Sequence, residues 1–374
     1  MDIPRVFQDL DKYLHPNKVL LIYGPRQAGK TTLLKNFLQT TSLKYRFDSG
    51  DNISIQHLLS SQDFGLIKEY AQNYQLIVID EAQKIKGIGQ ALKIMVDQIP
   101  DIKIIATGSS SFELAGQVGE PLTGRKKTLT LYPIAYVELN MLYNRHELKE
   151  QLEKILIYGS YPEVITTSSV KKAELIMEMS QSYLLKDILE FDKVKNSKTL
   201  VDLLRLLAFQ VGSEVSLSEL AQQLGIDTKT VARYIDLLEK SFVIYNLRGF
   251  SRNLRKEITK KSKYYFYDNG MRNAIIANFN SLNLRDDVGK LWENFLIMER
   301  IKKQSYAGIY TNKYFWRTWD QKEIDFVEEY EGVLHGFEFK WGKTTAKAPK
   351  EWLSTYSNAK FTVINSENYL DFIL

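Results

Sequence analysis

The stretch Gly24-Pro25-Arg26-Gln27-Ala28-Gly29-Lys30-Thr31-Thr32 limits what this chain can become more than any other. Gly24, Gly29, Lys30 and Thr31 satisfy the spacing G-x-x-x-x-G-K-[ST]. The apolar run Val19 to Tyr23 leads in, and a helix-compatible segment from Thr31 to Gln39 leads out. Strand, loop and helix are therefore expected in that order. The glycines let backbone N–H groups turn inward around phosphate oxygens. The helix that follows adds the positive end of its dipole. Lys30 is placed to reach the β- and γ-phosphates and Thr31 to ligate Mg²⁺, with Pro25, Arg26, Gln27, Ala28 and Thr32 completing the nucleotide contact. The ligands implied are ATP and Mg²⁺.

Leu76-Ile77-Val78-Ile79 is a short, wholly apolar run, the pattern of a central parallel strand. It ends in Asp80-Glu81, where α/β sheets place their ligands. Asp80 is the candidate to hold Mg²⁺ through water, and Glu81 to orient and deprotonate an attacking water. A third apolar run, Ile102 to Ala106, ends in Thr107-Gly108-Ser109-Ser110-Ser111. A polar side chain there, Ser109 above all, can sense a γ-phosphate from the neighbouring strand; a plain Ser-rich turn fits the same residues.

Composition closes several other routes. With no cysteine, disulfides, thiol catalysis and Cys-ligated metal centres are excluded. The four histidines, His15, His57, His146 and His335, are scattered and form no ligand pair. A net charge of +5 permits nucleic-acid binding without demanding it, so local clustering decides. Met1-Asp2-Ile3-Pro4-Arg5 is too charged and broken for a signal peptide, and no apolar run approaches membrane-spanning length. A soluble, cytoplasmic protein that makes no membrane contact is expected.

Strands are expected at 19–23, 43–48, 76–80, 102–107 and 127–132, with helices at 31–40, 64–73 and 88–98. That alternation argues a parallel sheet covered on both faces. From 134 to about 210 the pattern is helical, clearest over Glu147–Ile157 and Ala173–Phe191, with a turn at Tyr158-Gly159-Ser160-Tyr161-Pro162. Ser216 then opens a helix with Glu219 in capping-box position. Gly225 marks a turn, and Thr228–Lys240 a second helix with Val231, Ile235 and Leu238 buried. With the strand Phe242–Tyr245 this describes a winged helix-turn-helix. Lys229, Arg233 and Lys240 are expected off its buried side. Arg248, Arg252, Arg255, Lys256, Lys260, Lys261 and Lys263 form a basic wing that can meet phosphates, or a solvated loop between strands.

Near the C-terminus, a helix is expected over Val288–Lys302 and a hairpin over Glu323–Trp341, turning at Glu331-Gly332. Strand periodicity puts Glu338 and Lys340 on one face. Asp325 on the paired strand approaches that face, and Glu293 on the helix adds a carboxylate. Such a set can bind a second Mg²⁺ or Mn²⁺ and direct water at a phosphodiester, or it can be a solvated sheet face.

The N-terminal part resembles AAA+-like bacterial and archaeal P-loop ATPases. Gly24 to Thr32 is similar to their Walker A form, Leu76 to Gln83 to Walker B, and Ala106 to Ser111 to the sensor-1 strand end. Leu122-Thr123-Gly124-Arg125 resembles an element that makes Arg125 a γ-phosphate-sensing arginine or a finger acting on a neighbour. Tyr158 to Glu163 resembles a lid turn lying over the adenine. The C-terminal part resembles the PD-(D/E)xK, restriction-endonuclease-like domain that follows this ATPase, through Gly289-x-x-x-Glu293-Asn294-Phe295, Glu323-Ile324-Asp325-Phe326 and Glu338-Phe339-Lys340-Trp341. The resemblance implies an α/β fold: a P-loop core over 1–138, a helical lid over 139–210, a winged helix over 211–263 and a nuclease-like domain over 264–374. The residues are read as an ATPase whose nucleotide state moves the winged helix and the tail, acting on DNA. An ATP-gated nuclease and a slow switch that binds protein partners stay open, as does assembly into a homo-oligomer.

Overall fold

The computed structural model describes residues 3–109, 121–191, 197–250, 262–318 and 322–374. The chain divides into two compact units. One holds Pro4–Pro133 with Lys240–Phe242; the other holds Ile134–Glu239 and Val243–Leu374.

In the first unit the strands are β1 (Lys18–Tyr23), β2 (Tyr45–Ser49), β3 (Leu76–Asp80), β4 (Lys103–Gly108) and β5 (Lys126–Thr130). They form one sheet in the order β2-β3-β4-β1-β5, with every pairing parallel. β3 is buried at every position and β1 at every position after Lys18, as strands covered on both faces require. β2 lies at the edge and is correspondingly half-exposed. The helices are α1 (Lys30–Thr40), α2 (Ile53–Ser60), α3 (Phe64–Ala71) and α4 (Ile88–Gln98). α4 buries Ile88, Ala91, Leu92 and Met95, a helical stripe that faces the core. α2 has no counterpart in the expected helices; Asn52 starts it by accepting from the Ser54 N–H. Because all strands run the same way, their C-terminal ends open on a single edge.

The second unit begins with α5 (Tyr136–Leu139), α6 (Arg145–Tyr158), α7 (Pro162–Thr166), α8 (Ser169–Phe191) and α9 (Ser197–Phe209). There follow β6 (Glu214–Val215), α10 (Leu217–Leu224), α11 (Thr228–Lys240), β7 (Ile244–Gly249), β8 (Ser262–Phe266) and α12 (Asn269–Ile275). The last elements are α13 (Val288–Ala307), β9 (Asn312–Arg317), β10 (Glu323–Tyr330), β11 (Val333–Phe339), α14 (Lys350–Thr355), β12 (Lys360–Ile364) and α15 (Tyr369–Ile373). A single seven-stranded sheet, ordered β12-β11-β10-β9-β7-β8-β6, joins them. The ladder between β7 and β9 is parallel, Arg248 opposite Tyr314 and Gly249 opposite Phe315. The boundary expected between 263 and 264 therefore falls inside β8. α13 crosses the unit through an aromatic cluster: Trp292 lies 5.2 Å from Tyr369, and Phe295 5.0 Å from Tyr136, between ring centroids.

Several local expectations shift. Ser216 occupies the cap position of α10, but its hydroxyl pairs with Ser218 at 2.6 Å and caps no backbone N–H. The strand expected at Phe242 starts at Ile244, because Phe242 takes a left-handed φ of 53° and turns the chain first. Gly159, Ser160 and Tyr161 of the expected lid turn are buried in their unit. Ser160 N–H donates to Asp268 at 2.6 Å, and a Cβ at Gly159 would fall 1.9 Å from that carboxylate. Arg252, Arg255, Lys256, Lys260 and Lys261 of the basic wing lie outside the described residues, as do Ser110 and Ser111. Among the described residues, no helix is long and apolar enough to cross a membrane.

Candidate functional site

The loop from Gly24 to Gly29 leaves the C-terminal end of β1 and enters α1. Two glycines shape it. Gly24 has φ of 150°, and a Cβ there would lie 1.9 Å from the Leu131 carbonyl oxygen. Gly29, at φ 97°, is the cap residue of α1. Both conformations suit glycine and few other residues. Lys30, the first helical residue, is buried, and its Nζ donates to the carbonyls of Gly24 and Pro25 at 2.9 Å each. The ammonium is thus folded over the loop that the backbone N–H groups line. Pro25 and Ala28 are buried, whereas Gln27 and Thr32 are exposed. Arg5 buttresses the loop from behind, donating to the carbonyls of Ala28 at 2.6 Å and Tyr132 at 2.7 Å. Sequence reasoning missed Arg5, since nothing in its neighbourhood distinguishes it from a surface arginine.

β3 delivers Asp80 to the same edge. Thr31 Oγ1 donates to Asp80 Oδ2 at 2.7 Å, which brings together the two residues expected to hold Mg²⁺. Thr107, at the end of β4, donates its hydroxyl to the other Asp80 oxygen and accepts the Glu81 N–H at 3.2 Å. Glu81 turns the chain sharply, with a left-handed φ of 51°. Its carboxylate accepts a short hydrogen bond from Gln83 Nε2, and the same nitrogen reaches Ser109 Oγ at 3.3 Å. Lys30 and Thr31 at the start of α1, and Asp80, Glu81 and Ser109 at or just past strand ends, thus all lie on the sheet's C-terminal edge.

Arg125 departs from the rest. It precedes β5, and its carbonyl accepts the Val19 N–H at 2.8 Å, so it stands at the opposite edge of the sheet. Strand rise over the intervening residues of β1 separates it from the loop by roughly 17 Å. Its guanidinium is paired with Asp97 of α4 at 2.8 Å and is partly exposed. Sensing the γ-phosphate within its own subunit does not fit that position.

The acidic groups expected in the tail do gather, but around lysines. Tyr265 donates to Glu293 at 2.6 Å, and Lys263 Nζ lies 3.6 Å from Glu293 and in hydrogen-bond contact with Glu323. Phe326 pairs with Phe337 across the hairpin, which sets Asp325 beside Glu338. Asp325 accepts the Phe339 N–H at 2.8 Å, and Lys340 donates to Glu338 at 2.7 Å. Burial, reinforced by Glu293 and Glu338, pushes the Asp325 carboxyl well above its ordinary range. Burial also raises Glu293, against the pull of Lys263. For Lys263 burial works against the charged form, but Glu293, Glu323 and Asp325 outweigh it and lift the ammonium above its usual value. Among the described residues, no group of three or more Asp, Glu, His or Cys side chains is disposed to hold a metal ion. Of the residues expected to hold a second Mg²⁺ or Mn²⁺ (Glu293, Asp325, Glu338 and Lys340), Glu293 lies against Lys263 and Glu338 against Lys340, while Asp325 accepts a backbone N–H. Lys263 itself, expected on a phosphate-facing wing, is buried.

Three protein families match the chain. Residues 16–140 match an AAA domain family, which supports a P-loop ATPase in the first unit. Residues 149–283 and 288–371 match two families described as domains of unknown function (DUF8612 and DUF4143). An uncharacterized protein of Mycobacterium tuberculosis is 27% identical over 336 residues, spanning 88% of this chain and 72% of that protein. An uncharacterized protein of Haemophilus influenzae is 25% identical over 342 residues, spanning 86% and 82%. Among solved structures, a Walker-type ATPase of Pyrococcus abyssi aligns with a TM-score of 0.45 at 16% identity, over 69% of this chain and 91% of that one. A signal transduction ATPase with numerous domains, from Pyrococcus horikoshii, aligns with a TM-score of 0.31 at 13% identity, over 82% and 48%.

Proposed function

We propose that this protein is an Mg²⁺-dependent ATPase. The observation that carries the reading is the joining of Thr31 to Asp80 beside Lys30 and Glu81, on the open edge of a parallel sheet. The donor set suits the cation, since a hydroxyl and a carboxylate oxygen already meet at 2.7 Å. Mg²⁺, when bound by Thr31 and through water by Asp80, supplies charge that neutralises the β- and γ-phosphate oxygens.

The remaining work falls to the chain's own groups. Backbone N–H groups from Gly24 to Gly29, with Arg26 and Gln27, wrap the phosphates, and Gly24 is required because a side chain would collide with Leu131. Lys30 exchanges its carbonyl partners for phosphate oxygens. Glu81 takes a proton from the attacking water, and Ser109 bears on the γ-phosphate. Purified Lys30→Ala protein should lose nucleotide affinity and turnover together. Glu81→Gln should keep affinity and lose turnover by about 100-fold. Normal hydrolysis in either variant would remove this mechanism.

A second reading, that the ATPase acts on DNA, is favoured by one observation. Lys229, Arg233 and Lys240 are all exposed on α11, which follows α10 after the turn at Gly225, a pairing that we read as a helix–turn–helix. Duplex binding that weakens steeply with salt, and falls in Lys229→Ala/Arg233→Ala, is the expected result. Binding indifferent to salt or to these changes would leave a protein-directed switch. The pairing of Glu293 with Lys263 and of Glu338 with Lys340 supports reading the tail as a scaffold. Metal-dependent nicking of DNA or RNA that vanishes in Asp325→Ala would reverse that assignment.

A further inference from the structure

We propose that Gln83 is a positioning residue that ties the Ser109 contact to the Glu81 carboxylate during ATP hydrolysis. The inference rests on the ATPase reading and adds to it a coupling between sensor and base.

Gln83 sits on the 3-10 turn Ala82–Lys84 that directly follows the acidic pair. Its Nε2 meets Glu81 Oε2 on one side and Ser109 Oγ at 3.3 Å on the other. An ionised carboxylate only accepts, so the NH₂ end of the amide must face Glu81. An NH₂ group carries two N–H bonds, which is what a bridge between two acceptors needs. The carbonyl end, Gln83 Oε1, is buried without a hydrogen-bond partner. A buried acceptor left open beside a base calls for an explanation, and a positioning role gives one.

The second attachment of Glu81 points the same way. Its backbone N–H is held directly by the Thr107 hydroxyl of β4, and its side chain reaches Ser109, just past that strand, only through Gln83. Residues Thr107 and Ser109 lie on either side of Gly108, the last residue of that strand. A ligand oxygen that engages Ser109 accepts its O–H while Gln83 donates to the same Oγ, so one hydroxyl links the ligand to the amide that holds the carboxylate. Glu81 therefore takes up its working orientation in step with Ser109.

The test separates this from packing. Gln83→Met keeps the side chain's length and volume but removes both donors. Gln83→Leu serves the same purpose should the methionine protein fail to fold. Turnover at saturating Mg²⁺·ATP should fall about tenfold, while affinity for a non-hydrolysable ATP analogue stays within about twofold. Ser109→Ala should also slow turnover, and the double variant should be no slower than the slower single one, since the two residues act through one bridge. Wild-type turnover in Gln83→Met, affinity lost in parallel with turnover, or losses that multiply in the double variant would each overturn the inference and leave the ATPase reading standing. An unmodified protein that hydrolyses no ATP would sink the ATPase reading and this inference with it.

Discussion

Asp80 and Glu81 at the end of β3 are held by neutral donors: the hydroxyls of Thr31 and Thr107 and the amide of Gln83. In the tail, Glu293, Glu323 and Glu338 instead lie against the ammonium groups of Lys263 and Lys340. Both sites concentrate carboxylates on strand ends or beside them, yet they differ in who balances the charge. Hydroxyl and amide donors orient a carboxylate and leave its charge in place, so a divalent cation gains by arriving. A buried lysine removes the need, and a metal ion would first have to displace it. Carboxylate count is thus one factor in cation binding and the charge of the neighbouring groups another.

The largest effect expected of this contrast is at Lys263. Removing its charge in Lys263→Met leaves Glu293 without its ammonium partner and should cost about 3–5 kcal/mol, read by chemical denaturation of the full chain. The loss should be partly recovered on acidification from about pH 7.5 to about pH 5.5. The sign follows from Asp325 and Glu293, whose raised values make the folded chain take up protons before the unfolded one, so their unfavourable contribution shrinks as pH falls. A Lys263→Met protein as stable as its parent would break the comparison.

A smaller effect is expected at Thr107, on the neutral side. Thr107→Val keeps the shape of a fully buried side chain but strips Asp80 of a donor and Glu81 of an acceptor. The expected cost is about 1–3 kcal/mol in stability, with turnover down about tenfold. Unchanged turnover would show that the hydroxyl does not hold the pair in place. The smallest effect belongs to Arg125, whose pairing with Asp97 is partly exposed. Arg125→Ala should shift stability by no more than about 0.5 kcal/mol and leave turnover of dilute protein unchanged. A deficit that grows with protein concentration would mark a finger offered to a neighbouring copy; a deficit in dilute protein would contradict the position given to Arg125 here.

The parallel sheet was legible because its strands are continuous apolar runs between turn signals, and β3 and β4 match their expected spans to within a residue. The positions of Lys30, Thr31, Asp80, Glu81 and Ser109 were legible because they follow from spacing to a strand end. Three features were not. Thr107 and Gln83 look like ordinary polar residues until the register of β3 against β4 places them beside the acidic pair. Arg5 acts on Ala28 and Tyr132, far away in sequence. Lys263 reads as one more charge in a basic run, and only the pairing of β7 with β8 turns it inward. Alternation along a strand tells which residues share a face, but not which face the fold will bury.

The β7–β9 ladder carries a last consequence. Because hydrogen bonds run unbroken from β6 through to β12, the helix–turn–helix and the tail share a spine rather than a hinge. Severing the chain between them would expose raw strand edges on both fragments, each prone to self-association. Evolution or engineering that trades one of these pieces for another must therefore carry the other along.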